Sequence, residues 1–189
     1  MAKQAAKKRT YPWTTKIDGT NVTLRLMTAD DKDELLEFAR SLSEDDLRFL
    51  SFDITDEEMV ESWIKRIERG IWHTILVEID GKLVGHGSLM RTEQAWSRHL
   101  GEIILLISPE VRGKGLGNVL AGEIFSKAEE LHLMKVVARM AAEQKGAIQV
   151  FEKLGFTAEA LLADYVIDRH NRTHDLIAMS YDVTGFTEE

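Results

Sequence analysis

In residues 22–26 the apolar residues Val22, Leu24 and Leu26 alternate with Thr23 and Arg25, the two-residue period of a half-buried strand. The period then lengthens. Leu35, Phe38, Ala39 and Leu42 recur at helical spacing behind Thr28, which can cap a helix carrying Asp30 and Asp31 in its first turn. Thr55 and Glu58 repeat the capping arrangement ahead of Met59, Trp63 and Ile67. A strand followed by two amphipathic helices is therefore predicted, in a domain beginning near residue 20.

Residues 74–79 and 83–89 are apolar, β-branched segments joined through Asp80 and Gly81, a pair that accepts the positive φ angles of a type I′ turn, and they predict a hairpin. Residues 102–107 read as a strand apolar on both faces, hence central, and Ser108-Pro109 ends it because proline removes a ladder donor. Glycines at 113, 115 and 117 follow. Leu116, Leu120, Ile124, Ala128 and Leu131 then fall on one helical stripe, and residues 135–140 read as the next strand, completing a crossover unit. A further helix is predicted over about residues 145–154, with Ala147, Ile148, Phe151 and Leu154 on one side and Gly155 just past its end. Residues 165–167 and 176–181 form a final hairpin across the polar stretch 169–174.

The composition narrows the class. A chain of 189 residues, 44% hydrophobic and 30% charged, fits one domain able to bury a sizeable core. With no cysteine, disulfides, thiolate metal sites and a cysteine nucleophile are excluded, and no metal site is indicated. No apolar run approaches the roughly 18 to 20 residues of a membrane helix, and the N-terminus lacks the apolar stretch of a signal peptide, so a cytoplasmic protein without a membrane partner is expected. The net charge of −8 argues against general nucleic-acid binding and suits a cationic or amine substrate. Lys3, Lys7, Lys8 and Arg9 concentrate positive charge at the start, as a solvated tail or a partner-binding arm.

Gly113, Gly115 and Gly117, between a buried strand and a helix, let the backbone turn sharply and approach a ligand without a Cβ in the way. Their N–H groups can converge on an anion at the positive end of the helix dipole, and a phosphate or pyrophosphate is the natural occupant. A tight turn with no ligand is the alternative. The spacing gives neither GxxxxGK[ST] nor GxGxxG, which disfavours the ATPase and dinucleotide-dehydrogenase readings.

Arg112-Gly113-Lys114-Gly115-Leu116-Gly117 resembles the [QR]-x-x-G-x-[GA] coenzyme A pyrophosphate loop of the GNAT acetyltransferases. Downstream, Gln144, Ala147, Ile148, Phe151, Glu152, Lys153, Leu154, Gly155 and Phe156 resemble the family's N-x-x-A-[IV]-x-[LV]-Y-E-K-x-G-F segment. The resemblance spans roughly residues 22–183 and implies an α/β (α+β) fold: a mixed, strongly twisted sheet of six to seven strands flanked by about four helices. The implied layout is a tail at 1–19, one domain at 20–184 and a short tail at 185–189.

The implied activity is transfer of an acetyl group from acetyl-CoA to a primary amine, on a small molecule or a protein lysine, by direct attack in a ternary complex. A non-catalytic acyl-CoA sensor and a pure interaction module are the alternatives. By resemblance, backbone groups of Leu105, Leu106 and Ile107 hold the pantetheine arm beside a strand bulge, residues 112–118 including Asn118 hold the pyrophosphate, and Gln144 and Phe151 belong to the coenzyme A site. Arg112 and Lys114 would assist the phosphates as cations. Glu102 starts the strand where several members place a general base. Phe151 stands where many members have a tyrosine that protonates the coenzyme A thiolate, which leaves Tyr165, otherwise a half-buried strand residue, or solvent as the proton donor. His86 and His99 are further titratable candidates.

Arg139 occupies the strand position where the family's ribosomal-protein N-terminal acetyltransferases carry a glutamate, which disfavours that subgroup. The stretch from Leu42 to Leu50 is similar to an acceptor-side segment in the GNAT domain of bacterial protein-lysine acetyltransferases. The apolar final strands leave an edge that a second copy could cover to form a homodimer.

Overall fold

A computed structural model describes residues 9–183. The strands are β1 (Trp13–Ile17), β2 (Thr20–Leu26), β3 (Trp72–Ile79), β4 (Lys82–Arg91), β5 (Leu100–Ile107), β6 (Lys135–Ala141), β7 (Thr157–Ile167) and β8 (Thr173–Asp182). The helices are α1 (Lys32–Ser41), α2 (Glu44–Leu47), α3 (Glu57–Glu68), α4 (Leu116–Glu130) and α5 (Lys145–Lys153). All eight strands form one sheet in the order β1-β2-β3-β4-β5-β6-β8-β7, antiparallel throughout except for β5 beside β6.

The fold is the expected one with more elements than the six or seven strands and four helices anticipated. β1 lies inside the segment read as a tail: Ile17 pairs with Thr20 across Asp18 and Gly19, whose φ angles of 49° and 78° make the same kind of turn as Asp80 and Gly81 at 52° and 74°. The sheet therefore begins before residue 20. Arg9, from the basic start, joins it through an ion pair to Glu123 of α4 at 2.8 Å, while Lys3, Lys7, Lys8 and residues 185–189 lie outside the described residues. The final hairpin is also longer than predicted, because β7 begins at Thr157.

Helix starts follow side-chain chemistry closely. The Asp31 carboxylate accepts the Thr28 backbone N–H at 2.6 Å, and one 3-10 turn leads into α1. At α3 the cap is Asp56, which accepts the Glu58 N–H at 3.1 Å, in place of the predicted Thr55. Thr55 instead donates its hydroxyl to Asp53 at 2.6 Å.

Each face of the sheet is covered by helices. On one side Leu35, Val60 and Trp63 of α1 and α3 pack with Trp72, Leu76, Met90 and Leu106; on the other, Leu120, Ile124 and Phe151 of α4 and α5 pack with Leu24, Val77, Leu89 and Ile103. Under α3 a polar chain is sealed in: the Trp63 indole N–H donates to Thr74 at 2.9 Å, Thr74 meets Ser88 at 3.0 Å, and Ser88 meets His86 Nδ1 at 3.3 Å. Burial pushes the His86 imidazole down to about 4, and burial followed by the nearby Lys127 and Arg91 charges does the same to His73.

The consequence is a stability loss in mild acid. Below the ordinary histidine value of 6.5 and down to about 4, the unfolded chain binds protons at these rings that the folded chain refuses, so stability rises with pH through that window. For His86 the loss between pH 7 and pH 5 is expected to be about 2 kcal/mol. Urea midpoints of the wild type and His86→Leu at both pH values test it. An equal pH 7-to-5 loss in the variant would assign the effect elsewhere.

Candidate active site

β5 ends at Ser108-Pro109, a 3-10 turn carries the chain through Val111, and α4 begins at Leu116. Between them Gly113 and Gly115 adopt φ of 79° and 89°, and a Cβ on either would meet no atom within 4 Å. The conformation and the open space together leave the backbone exposed at the head of the helix. The Asn118 and Val119 N–H groups bond back to the Gly115 carbonyl at 3.1 and 3.3 Å. Among the described residues no backbone carbonyl takes the N–H groups of Gly113, Lys114, Gly115, Leu116 or Gly117. Five amide donors at the N-terminus of a 15-residue helix make a cradle for an oxygen-rich anion.

The side chains of this loop divide. Leu116 is buried and anchors the loop to the sheet, and Lys114 is exposed, without an ion-pair partner among the described residues. Arg112 does not point away as a free cation: its Nε donates to the Ile107 carbonyl at 2.8 Å and its Nη2 meets Asp46 of α2 at 2.7 Å. Burial raises the Asp46 carboxyl, but bonds from Ser43 and Arg112 outweigh it and hold the group below the usual carboxylate range. Asn118 is exposed, with its backbone N–H already used.

Beyond the loop the two parallel strands separate. β5 and β6 pair only from Leu100 with Lys135 to Glu102 with Val137. The expected bulge in β5 is absent: its register against β4 runs from Gly85 with Ile107 to Arg91 with Gly101 without a shift, and the splay comes from the end of β5–β6 pairing alone. Ser108 N–H bonds to Val84 on β4 at 2.8 Å, so by antiparallel alternation Leu106 turns its backbone to β4 while Leu105 and Ile107 turn theirs to the gap. Leu106 therefore drops out of the three backbone candidates, its side chain buried against α3's layer.

The gap is a cavity of about 360 Å³. Its walls are residues 102–105 of β5, 138–141 of β6, Gln144, Ala147 and Phe151 at α5, 48–51 after α2, and 165–167 of β7. Gln144 turns its side-chain oxygen back to accept the Ala141 N–H at 3.0 Å, fixing the corner between β6 and α5. Phe151 is 7% exposed, its ring edge-on to Phe156 at 4.9 Å, so it offers an apolar wall and no proton. Tyr165 is 60% exposed rather than half-buried and stands at the rim. His86 and His99 line no part of the cavity.

Glu102 is the single carboxylate on this cavity among the described residues. Arg139 on β6 grips it with both arms of its guanidinium, one at 2.9 Å, and the pairing raises the arginine's affinity for its proton. The cover from α2 to Asp53 is tied down at three points: Arg112 to Asp46, Arg169 to Asp53 at 3.0 Å and His170 to Glu44 at 3.0 Å. The latter two come from the β7–β8 turn, which the buried Asp168 carboxylate organises by accepting the His170 and Arg172 N–H groups at 2.8 and 3.0 Å. No sequence motif encodes these ties, which join charges far apart in the chain.

No helix among the described residues is long and apolar enough to cross a membrane. A family model described as an acetyltransferase (GNAT) domain matches residues 21–157. Among solved structures, the GNAT-family acetyltransferase from Streptococcus pneumoniae superposes with a TM-score of 0.73 at 20% identity, over 85% of this chain and 99% of that one. The putative acetyltransferase yncA from Salmonella typhimurium with its cofactor acetyl-CoA gives 0.75 at 19% identity, over 90% and 98%. The spermidine N-acetyltransferase from Vibrio cholerae in complex with CoA and spermine gives 0.72 at 22% identity, over 86% and 96%.

Proposed function

The chain belongs to the GNAT acetyltransferase family, and from that premise we propose how its own residues carry acetyl transfer from acetyl-CoA to an amine. The pyrophosphate rests on the free N–H groups of residues 113–117, supported by Lys114. Arg112 serves the loop as a strut, binding the Ile107 carbonyl and Asp46. The pantetheine arm enters the gap between β5 and β6, against the apolar wall of Ala147 and Phe151.

The observation that carries this reading is the early end of β5–β6 pairing beside a cradle of unpaired amides. Past Glu102 the Leu105 N–H has no strand partner on that side and is the donor available to polarise a thioester carbonyl. Glu102 accepts the proton that the amine loses on attack, using lone pairs outside the arginine fork. Tyr165, at the rim, or solvent returns a proton to the departing thiolate.

The outer edge of β7, with Leu161 at 63% and Ile167 at 64% exposure, supports pairing with a second copy.

The test is thiol release from acetyl-CoA in the presence of individual amines. Release that requires an amine is the expected result. Coenzyme A binding without release for any amine would favour the sensor instead.

A further inference from the structure

Next to the donor gap lies a larger cavity of about 950 Å³, and the two share Ser51, Glu102 and Arg139 in their walls. An acceptor occupying the larger one has its reacting end at Glu102 and its body over the α3 side of the sheet. The floor there is apolar, with Phe52, Trp72 and Met90.

The charge in this second cavity is unbalanced. Of its two carboxylates, Glu102 is taken by Arg139 and Glu93 by Arg69 at 2.7 Å on the exposed rim. Two further arginines line it, Arg66 and Arg91, and neither meets a carboxylate among the described residues. The Arg66 guanidinium lies 4.7 Å from the centre of the Trp72 ring. Arg91 donates from Nη2 to the Gly70 carbonyl, and its Nε is buried without a partner. A protein with 32 acidic and 24 basic side chains has carboxylates to spare, yet leaves these two guanidiniums uncompensated in a concave, aromatic-floored site. The two guanidiniums therefore present positive charge that no carboxylate of the protein offsets, a setting that favours an anionic occupant.

We propose that the acyl acceptor is an amine that itself carries an anionic group, bound with its anion at Arg66 and Arg91 and its amine at Glu102. This rests on the acetyltransferase reading above and narrows it. The anion is a carboxylate or a phosphate on a frame with apolar surface, as in an amino acid, a short peptide or a phosphorylated amine. A polyamine, with cations at every end, is disfavoured by the same two arginines, although the chain as a whole is acidic.

The experiment pairs acceptors that differ only in the anion: L-phenylalanine with phenethylamine, and O-phosphoethanolamine with ethanolamine, with spermidine as the cationic arm. Thiol release and direct calorimetric titration are read for the wild type, Arg66→Met and Arg66→Lys. The anionic member of at least one pair is expected to have a kcat/KM at least tenfold above its partner. That preference should collapse in Arg66→Met and return in part in Arg66→Lys, with the KM for acetyl-CoA unchanged. A pair in which the carboxylate comes out ahead identifies an amino acid or peptide; one in which the phosphate does identifies a phosphoamine. If no acceptor supports release but an anionic one binds and Arg66→Met abolishes that binding, the anion site stands and the transferase reading falls. Equal or better use of the uncharged partners or of spermidine, or no anionic acceptor either binding or reacting, overturns the proposal.

Discussion

Replacing Gly115 by glutamate should weaken coenzyme A binding by at least about a hundredfold while the protein still folds. The backbone at this position has φ of 89°, so a side chain adds strain, but a Cβ there would meet no atom within 4 Å. The folding cost is then the local conformation alone, about 1–2 kcal/mol. The binding cost is larger because a carboxylate on residue 115 lies among the unpaired N–H groups of residues 113–117. It would compete for the donors that the pyrophosphate needs and set a negative charge against a doubly charged ligand group. Gly115→Ala carries the same backbone strain without the charge and should lose no more than about tenfold. Titration with coenzyme A, beside thermal melts of all three proteins, separates the two contributions. Glutamate and alanine variants that bind equally would show that strain, not competition, sets the loss; wild-type affinity in both would move the phosphates off this loop.

The pieces of the molecule that sequence made legible are those governed by neighbours in the chain. Asp80-Gly81 marks a turn because both residues tolerate positive φ, and Leu116, Leu120 and Ile124 mark a helix because one stripe must be buried. β1 carried the same kind of turn signal in Asp18-Gly19, but none of its five residues is fully buried, so its hydrophobic pattern is weak. Helix α2 is four residues long and too short for any period to register. The loop proposed to hold the donor was legible because it is contiguous and resembles a family motif. Contacts that depend on tertiary placement were not. Glu102 and Arg139 meet 37 residues apart on neighbouring parallel strands, and Arg112 meets Asp46 across 66. Arg66 and Arg91 reach one cavity from α3 and β4, with nothing in their spacing to announce it.

That placement also separates the two halves of the reaction in space. In the proposed reading the donor occupies the smaller cavity, at the α5 end between the strands, while the larger cavity lies on the α3 side, and the walls they share include the Glu102–Arg139 pair. Adjoining cavities of this kind would hold both ligands at once, as the proposed direct attack requires.

Glu102→Gln is the substitution that tests the chemistry at that junction, and it should lower kcat by about a hundredfold to a thousandfold. Glutamine keeps the shape and one accepting oxygen, so Arg139 stays partly held and the KM for acetyl-CoA should change little. What is lost is an anion that can take the amine's proton as the N–C bond forms. The split between kcat and KM distinguishes this from a merely structural role: a lost proton acceptor lowers kcat alone, whereas a disturbed β5–β6 junction also raises the KM for acetyl-CoA. Arg139→Met supplies the complementary case, because it releases both carboxylate oxygens and leaves the charge in place, so its activity should fall less than that of Glu102→Gln. If Glu102→Gln instead turns over within about threefold of the wild type, water takes the proton, and the pair serves to bracket β5 to β6 where their ladder ends.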